Sequence, residues 1–188
     1  MKEMTGKLIK GIIAACTLFI GITSCDKSAL ELKYADQDKR IDQYIEGLIK
    51  QNNLDSTAIV RNGGSNRIVV KEGTGEALQD GGTISFYYAG YIFNGNISKN
   101  NLFYTNSSQT AIEAGWAEEG ASYDVKTMTL DKKSMVEGLY NGLQGVRAGE
   151  ECMIVFTGKY GFGKKQNGII PANSALAYQI WVESISNE

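Results

Sequence analysis

The first regular pattern of apolar and polar positions lies between residues 35 and 52. Five apolar side chains there recur at intervals of one, three and four residues with charged side chains between them, which predicts an amphipathic helix over about Ala35–Asn52. They are Ile41, Tyr44, Ile45, Leu48 and Ile49. We expect this helix to pack on the following domain or to space that domain from a membrane. A dimer contact is the alternative, but one short apolar stripe is little for a coiled coil.

The period of the pattern changes after the turn RNGGSN at residues 61–66. From there, runs of β-branched and aromatic residues alternate with turns rich in Gly, Asn and Asp, which predicts an antiparallel sheet. The predicted strands are residues 67–73, 83–93, 123–130, 151–158 and 176–185. Between the third and fourth strands, apolar residues from Met135 to Val146 predict one short helix that ends at Gly145 or Gly149. About five strands wrapped on one short helix, preceded by the N-terminal helix, define an α+β fold class.

The start of the chain has the layout of a secretory signal. Three lysines precede an apolar run over residues 12–22, and small residues follow before Cys25. The ending ITSC resembles a bacterial lipobox, in which Cys25 is lipidated; an ordinary signal peptide or a retained anchor is the alternative. We predict a lipoprotein signal peptide over residues 1–24, a tether with the amphipathic helix over 25–62, and one folded domain over 63–188. The predicted location is the cell envelope, with a lipid anchor in the outer membrane.

Composition and charge exclude several classes of function. The chain has 188 residues, enough for one domain with a substantial core, and it contains no histidine. Histidine-based triads, imidazole general bases and histidine metal sites are thereby excluded. Removal of residues 1–24 takes away three Lys and one Glu, which changes the formal net charge from −2 to −4. We expect no metal, no cofactor and no nucleic-acid partner.

The glycine-rich stretch GKYGFGKK, residues 158–165, fits the phosphate-loop pattern G-x-x-x-x-G-K. Lys165 stands where magnesium binding requires Ser or Thr, and the chain continues into QNGIIPAN in place of an amphipathic helix. A nucleotide site is therefore not expected here, and the glycines need another explanation.

Four segments between residues 67 and 185 carry an ordered set of motifs. They are DGGTISFYYAGYIFNG (80–95), LFYTN (102–106), MVEGLYNGLQGVRAGEECMIVF (135–156) and YGFGKKQNGIIPANSALAYQIWVESI (160–185). In this order they resemble the motifs of FKBP-type peptidyl-prolyl cis-trans isomerases, and the last two segments are the more specific. With the leader, the chain is similar to the Bacteroides-like lipoprotein form found in Gram-negative bacteria. The resemblance implies that the glycine-rich stretch belongs to the long loop that walls a substrate groove.

The resemblance also implies which side chains line that groove. The residues in catalytic positions are Tyr88, Phe103 and Tyr160. Those in substrate-binding positions are Met135, Val136, Leu139, Ile170 and Tyr178. The Tyr160 hydroxyl is expected to donate a hydrogen bond to a substrate carbonyl. For each residue taken singly, the alternative is an ordinary place in the core of a small β domain.

The sequence departs from the family pattern at several positions. Leu139 stands where the family usually has a tryptophan at the groove floor, Tyr104 replaces an aspartate, and Ala172 replaces the second proline of I-P-P. An extra segment over residues 107–122 contains Trp116, which either caps the groove or packs on the sheet. These departures leave the fold prediction intact but bear on catalysis.

Two functions follow from the resemblance. The first is a peptidyl-prolyl cis-trans isomerase that assists the folding of exported proteins, with proline-containing polypeptides as substrates. The alternative is a catalytically weakened, FKBP-like lipoprotein that acts as a peptide-binding or protein-binding module. In either case we expect a monomer or weak dimer that is attached to a membrane through its lipid.

Overall fold

The computed structural model describes residues 22–188, with side chains from residue 27 onwards. The predicted signal peptide therefore lies almost wholly outside the described residues, and so does the side chain of Cys25. Within residues 22–188, no helix combines the length and the apolar character needed to cross a bilayer.

Helices and strands in this part of the chain match the predicted α+β class. The helices are α1 (Ile22–Asn52), α2 (Ser108–Ala114) and α3 (Glu137–Leu143). The strands are β1 (Ile59–Asn62), β2 (Ser65–Lys71), β3 (Thr83–Ile92), β4 (Leu102–Thr105), β5 (Lys126–Thr129), β6 (Glu151–Phe156) and β7 (Leu176–Ser186). All five predicted strands are present, and β1 falls within the segment 25–62 that the sequence assigns to the tether.

The strands form one antiparallel sheet in the order β1-β2-β6-β7-β3-β4. Its centre is the long pairing of β3 with β7. Two short strands share the outer edge of β3: β5 pairs with residues 83–86 and β4 with residues 89–91. The extra segment, which contains α2, connects β4 to β5 and is thus attached at the edge of the sheet.

Both faces of the sheet are covered. Successive side chains of a strand point to opposite faces. In β6, Cys152, Ile154 and Phe156 join the apolar cluster that contains α3, while Met153 and Val155 join the cluster that contains α1. We call the α3 side the front face and the α1 side the back face.

Helix α1 packs on the back face of the sheet, as we expected for the amphipathic segment. Ile41 and Ile45 are only 1% and 2% exposed, and the ring of Tyr44 meets that of Phe93 edge-on at 5.2 Å between centroids. The helix begins well before the predicted Ala35. Its earlier part has no apolar stripe, and Leu32 is 71% exposed there, so periodicity did not reveal it.

Helix α3 packs on the front face and is shorter than the sequence pattern suggests. It begins at Glu137 because Val136 has an extended backbone at the N-cap position. At its other end, Nη1 of the buried Arg67 donates to the carbonyls of Gly142 and Gln144, at 3.1 and 2.8 Å. These bonds satisfy carbonyl groups that the end of a helix leaves free.

Arg67 also forms a buried ion pair. Its Nε lies 3.4 Å from Oε1 of Glu150, and both side chains are more than nine-tenths buried. Removing one partner of such a pair leaves an uncompensated charge in the interior, which is strongly destabilising. The pair therefore fixes β2 against the end of α3 and the start of β6.

The sequence analysis did not find β1, β4 or α2. Each of the two strands has four residues, which is too few for a clear alternation of apolar and polar positions. Helix α2 has seven residues, capped by the Ser107 side chain and by Gly115 in the left-handed conformation. All three elements are short enough that neighbouring structure, and not local pattern, determines them.

Replacing Ile41 by alanine should lower the free energy of unfolding by about 2–5 kcal/mol, since it removes a fully buried side chain between α1 and the sheet. Urea unfolding followed by circular dichroism measures the change. The matched control is Leu32→Ala on the exposed part of the same helix, which should change stability by no more than about 0.5 kcal/mol. Equal effects of the two substitutions would contradict the packing described here.

Candidate active site

The predicted groove residues all belong to the apolar cluster on the front face of the sheet. Leu139, Ile170 and Tyr178 are buried within it. The others are partly buried and pack against it, namely Tyr88, Phe103, Met135, Val136 and Tyr160. A partly buried apolar side chain keeps some surface open to solvent. The second set can therefore contact a bound peptide, while the buried set forms the layer beneath it.

Tyr178 lies at the centre of a group of aromatic rings. It projects from β7, between β3 and β6. Phe103 meets it edge-on at 5.8 Å, Phe156 stacks on it at 5.9 Å, and Tyr88 is tilted against it at 6.3 Å between centroids. Burial and the nearby Tyr88 raise the pKa of the Tyr178 hydroxyl, so it stays uncharged at neutral pH.

Tyr104 enlarges the aromatic surface beside Tyr88. The two rings stack at 5.1 Å with an interplanar angle of 24°, and Tyr104 is 48% exposed. Burial raises the pKa of Tyr88 to about 12, and the neighbouring Tyr104 hydroxyl adds to the shift. An aromatic wall thus stands where the family usually has a carboxylate.

A buried asparagine holds Tyr88 in place. The Asn106 side chain accepts a hydrogen bond from the Tyr88 backbone N–H at 2.7 Å and donates to the carbonyls of Phe86 and Asp124. It thereby ties β3 to both ends of the extra segment. The sequence analysis gave Asn106 no role in the site, because no local pattern distinguishes this asparagine from one in a turn.

The connection from β6 to β7, residues 157–175, carries Tyr160 and Ile170; we call it the groove loop. The Tyr160 carbonyl accepts a hydrogen bond from the N–H of Gly138 in α3 at 2.8 Å. The Tyr160 ring lies against Gly64, which has φ +82°, and a Cβ there would overlap the ring. Among residues 22–188, the Tyr160 hydroxyl has no hydrogen-bond partner, so it is free to bind a ligand.

The stretch GKYGFGKK forms a succession of turns within the groove loop, and no helix follows it. Lys164 and Lys165 are both exposed. The arrangement agrees with a loop that shapes the site rather than with a phosphate-binding loop, in which a helix would follow the glycines.

Leu139 and Trp116 belong to two of the departures from the family pattern noted in the sequence. Leu139 is 9% exposed and packs in the front-face cluster, so the position remains an apolar floor. Trp116 follows α2, is 43% exposed, and lies outside both clusters of buried side chains. The structure therefore does not bring Trp116 together with the predicted groove residues.

Two phenylalanines were missed. Phe156 stacks on Tyr178, and Phe86 is tilted against Tyr88 at 5.5 Å. The alternation of side chains along the strands could have predicted both phenylalanines. Each shares a face of its strand with a predicted groove residue or with the core beside it.

The site has few groups for acid, base or nucleophilic chemistry. The ionisable members of the front-face cluster are tyrosines and Cys152. Cys152 is 2% exposed, and its burial, with Glu150 nearby, raises the pKa of the thiol well above its usual range. A protonated, inaccessible thiol is a poor nucleophile. What remains is an apolar, aromatic surface that includes the Tyr160 hydroxyl, suited to a reaction that needs neither covalent catalysis nor proton transfer.

An aromatic site between an antiparallel sheet, a short helix and a long loop is the arrangement that the resemblance noted in the sequence implies. Comparison with protein families agrees: residues 74–183 match the model of the FKBP-type peptidyl-prolyl cis-trans isomerases. This match spans more than half of the chain. The chain therefore belongs to that family, which confirms the family that the sequence motifs resemble and the predicted enzyme class.

Individual relatives are distant in sequence. FK506-binding protein 1 of Aspergillus oryzae is 24% identical over 117 residues, which are 62% of this chain and 94% of the relative. The crystal structure of FkpA from Escherichia coli superposes with a TM-score of 0.55 at 21% identity, covering 87% of this chain and 66% of FkpA. The crystal structure of a peptidyl-prolyl cis-trans isomerase from Pseudomonas syringae pv. tomato superposes with a TM-score of 0.56 at 16% identity. It covers 84% of this chain and 96% of that isomerase. These similarities confirm the fold.

The stability of the protein should fall as pH rises from 10 through about 12. The pKa of Tyr88 is about 12 in the folded chain against 10.0 for an ordinary tyrosine, so the unfolded chain loses this proton first. The stabilising effect is complete below pH 10 and is lost as pH rises through the folded value. Urea unfolding between pH 8 and 12 measures it.

Two variants locate the effect. Tyr88→Phe should make the decline shallower, and so should Tyr44→Phe on the back face, where burial also raises the pKa to about 12. If both variants instead decline as steeply as the wild type, neither hydroxyl is responsible.

Proposed function

We propose that the protein is a lipid-anchored peptidyl-prolyl cis-trans isomerase that assists the folding of exported proteins. The observation that carries this proposal is the assembly of all predicted groove residues into one cluster on the front face of a domain of this family. The lipobox-like sequence before Cys25 supports the location.

The proposed mechanism uses the polarity of the site. A prolyl peptide bond isomerises over a barrier of about 18–20 kcal/mol because twisting the amide breaks its resonance. The twisted amide is less polar at its carbonyl than the planar one. A surface formed by rings such as Phe103 and Tyr88 therefore disfavours the planar ground state more than the twisted state, which lowers the barrier. The Tyr160 hydroxyl holds a neighbouring substrate carbonyl and so orients the peptide.

A second function is favoured by Leu139 and Tyr104. Leucine offers a smaller floor than an indole, and Tyr104 covers Tyr88 with a second ring. Both changes preserve apolar contact with a peptide but alter where its proline would sit. A module that binds proline-containing segments without rapid turnover is the corresponding alternative.

The enzyme proposal is tested by measuring the rate of prolyl isomerisation in the presence of residues 25–188. The substrates are a short Xaa-Pro peptide and a slowly refolding protein. We expect acceleration by the wild type. Tyr160→Phe should lower kcat/KM about 5- to 20-fold, the effect of losing one hydrogen bond to the substrate in a partly buried site. Leu139→Trp, which restores the usual floor, should raise it.

The control is Tyr87→Phe, which alters a residue of β3 paired with Trp181, a residue that packs against the back-face cluster. It should leave kcat/KM unchanged. The binding-module function takes precedence if neither the wild type nor Leu139→Trp accelerates isomerisation but a proline peptide still binds. Binding in the groove would shift the NMR signals of Tyr88 and Phe103.

The anchor has its own test. Expressed with its leader in a Gram-negative host, the chain should incorporate an alkyne-labelled fatty acid and sediment with the outer membrane, because the lipobox would direct acylation of Cys25. Cys25→Ser should abolish both, whereas Cys152→Ser, at the buried thiol, should abolish neither. Labelling that persists in Cys25→Ser would refute the proposed anchor.

A further inference from the structure

Helix α1 contacts the groove loop through polar side chains as well as covering the back face. Gln37 of α1 makes two hydrogen bonds to this loop. Its Oε1 accepts from the backbone N–H of Gly158 at 2.9 Å, and its Nε2 donates to the carbonyl of Asn173 at 2.8 Å. One amide side chain thus binds both ends of the loop, fifteen residues apart in sequence.

The two ends of the groove loop are in direct contact where Gln37 binds them. A Cβ at Gly158 would overlap the backbone of Asn173, so only glycine permits this approach. The Asn173 N–H in turn donates to the carbonyl of Gly163 at 2.6 Å, and the Gly163 N–H donates to the carbonyl of Gly158 at 3.0 Å. Tyr160 lies in the segment between Gly158 and Gly163, whose ends these hydrogen bonds join.

Asn173 has a second link to α1. Its side-chain oxygen accepts a hydrogen bond from the Tyr34 hydroxyl at 2.7 Å, one helical turn before Gln37. Asn173 also adopts a left-handed backbone, with φ +59°, which is uncommon outside glycine. The hydrogen bonds from α1 therefore stabilise a conformation that the loop would otherwise adopt less readily.

We infer that Gln37 is a positioning residue for the groove: it holds the two ends of the groove loop together and so keeps Tyr160 and Ile170 in place. This inference rests on the proposed function. The hydrogen-bond partners of Gln37, Gly158 and Asn173, are not among the predicted groove residues. Gln37 also lies outside residues 74–183, which match the family. The groove of this protein is thus completed by a helix that precedes the family domain.

The expected effect is a change in the population of the formed groove. Gln37→Met keeps the length and shape of the side chain but removes both hydrogen bonds. When only a fraction of the protein molecules has a formed groove, the apparent affinity for the substrate is reduced in proportion to that fraction. A saturating substrate concentration shifts the remaining molecules to the formed groove. We expect KM for an Xaa-Pro peptide to rise about 3- to 10-fold with kcat nearly unchanged, given the usual strength of two such bonds.

Amide hydrogen exchange provides a readout that does not depend on activity. In Gln37→Met, the amides of residues 158–173 should exchange several-fold faster, while those of β6 and β7 keep their rates. Gln37→Glu should fall between wild type and Gln37→Met, since its carboxylate still accepts from Gly158 but cannot donate to Asn173. Gln43→Met, at an exposed position on the same helix, is the matched control and should change neither readout.

A second control separates positioning from stability. Ile45→Ala lowers the stability of the packed helix but keeps Gln37, so it should leave KM unchanged under conditions where the protein is folded. Unaltered exchange of the loop in Gln37→Met would overturn the inference, and so would faster exchange without a rise in KM. If the wild type has no isomerase activity, the proposed function fails, and loop exchange alone then decides whether Gln37 holds the loop.

Discussion

Burial of both faces of the central strands is the constraint on which the rest of the structure depends. In β6 and β7, alternate side chains enter two separate apolar clusters, so neither face can be left open to water. Helix α3 covers one face and α1 the other. The domain that matches the family is therefore not the whole folding unit, because its back face requires a helix from outside the matched segment.

The same two-sided arrangement explains how an aromatic site is held rigidly without metal ligands or disulfides among the described residues. Tyr178 projects to the front face from a strand whose other side chains are fixed by α1. Asn106 and Arg67 then supply buried polar contacts at the two sides of the site. Packing sets the positions of the rings, and the buried hydrogen bonds set the positions of the segments that carry them.

Sequence reasoning predicted five of the strands and a set of groove residues that share one cluster, because both have strong local signals. Strand alternation is visible over seven or more residues, and the groove motifs occur in a fixed order. The short β1 and β4 lack such a signal. The contacts of Gln37, Arg67 and Asn106 were also missed, because each joins segments that are distant in sequence and uses a residue type common on any surface. A pattern in one stretch of chain contains no information about which distant carbonyl a side chain will meet.

The unbroken length of α1 has a consequence for the distance between the site and a membrane. The helix runs without interruption from Ile22 to Asn52, and Tyr34 in its first half bonds to Asn173 of the groove loop. If Cys25 carries a lipid, the eight helical residues between Cys25 and Tyr34, a rise of about 14 Å, separate the lipid-bearing residue from the contact with the groove loop. A flexible linker would let the domain move over a wide range of distances from the membrane, whereas a helix of this kind holds it at a short distance. Such an isomerase would sample only chains that pass close to the lipid headgroups.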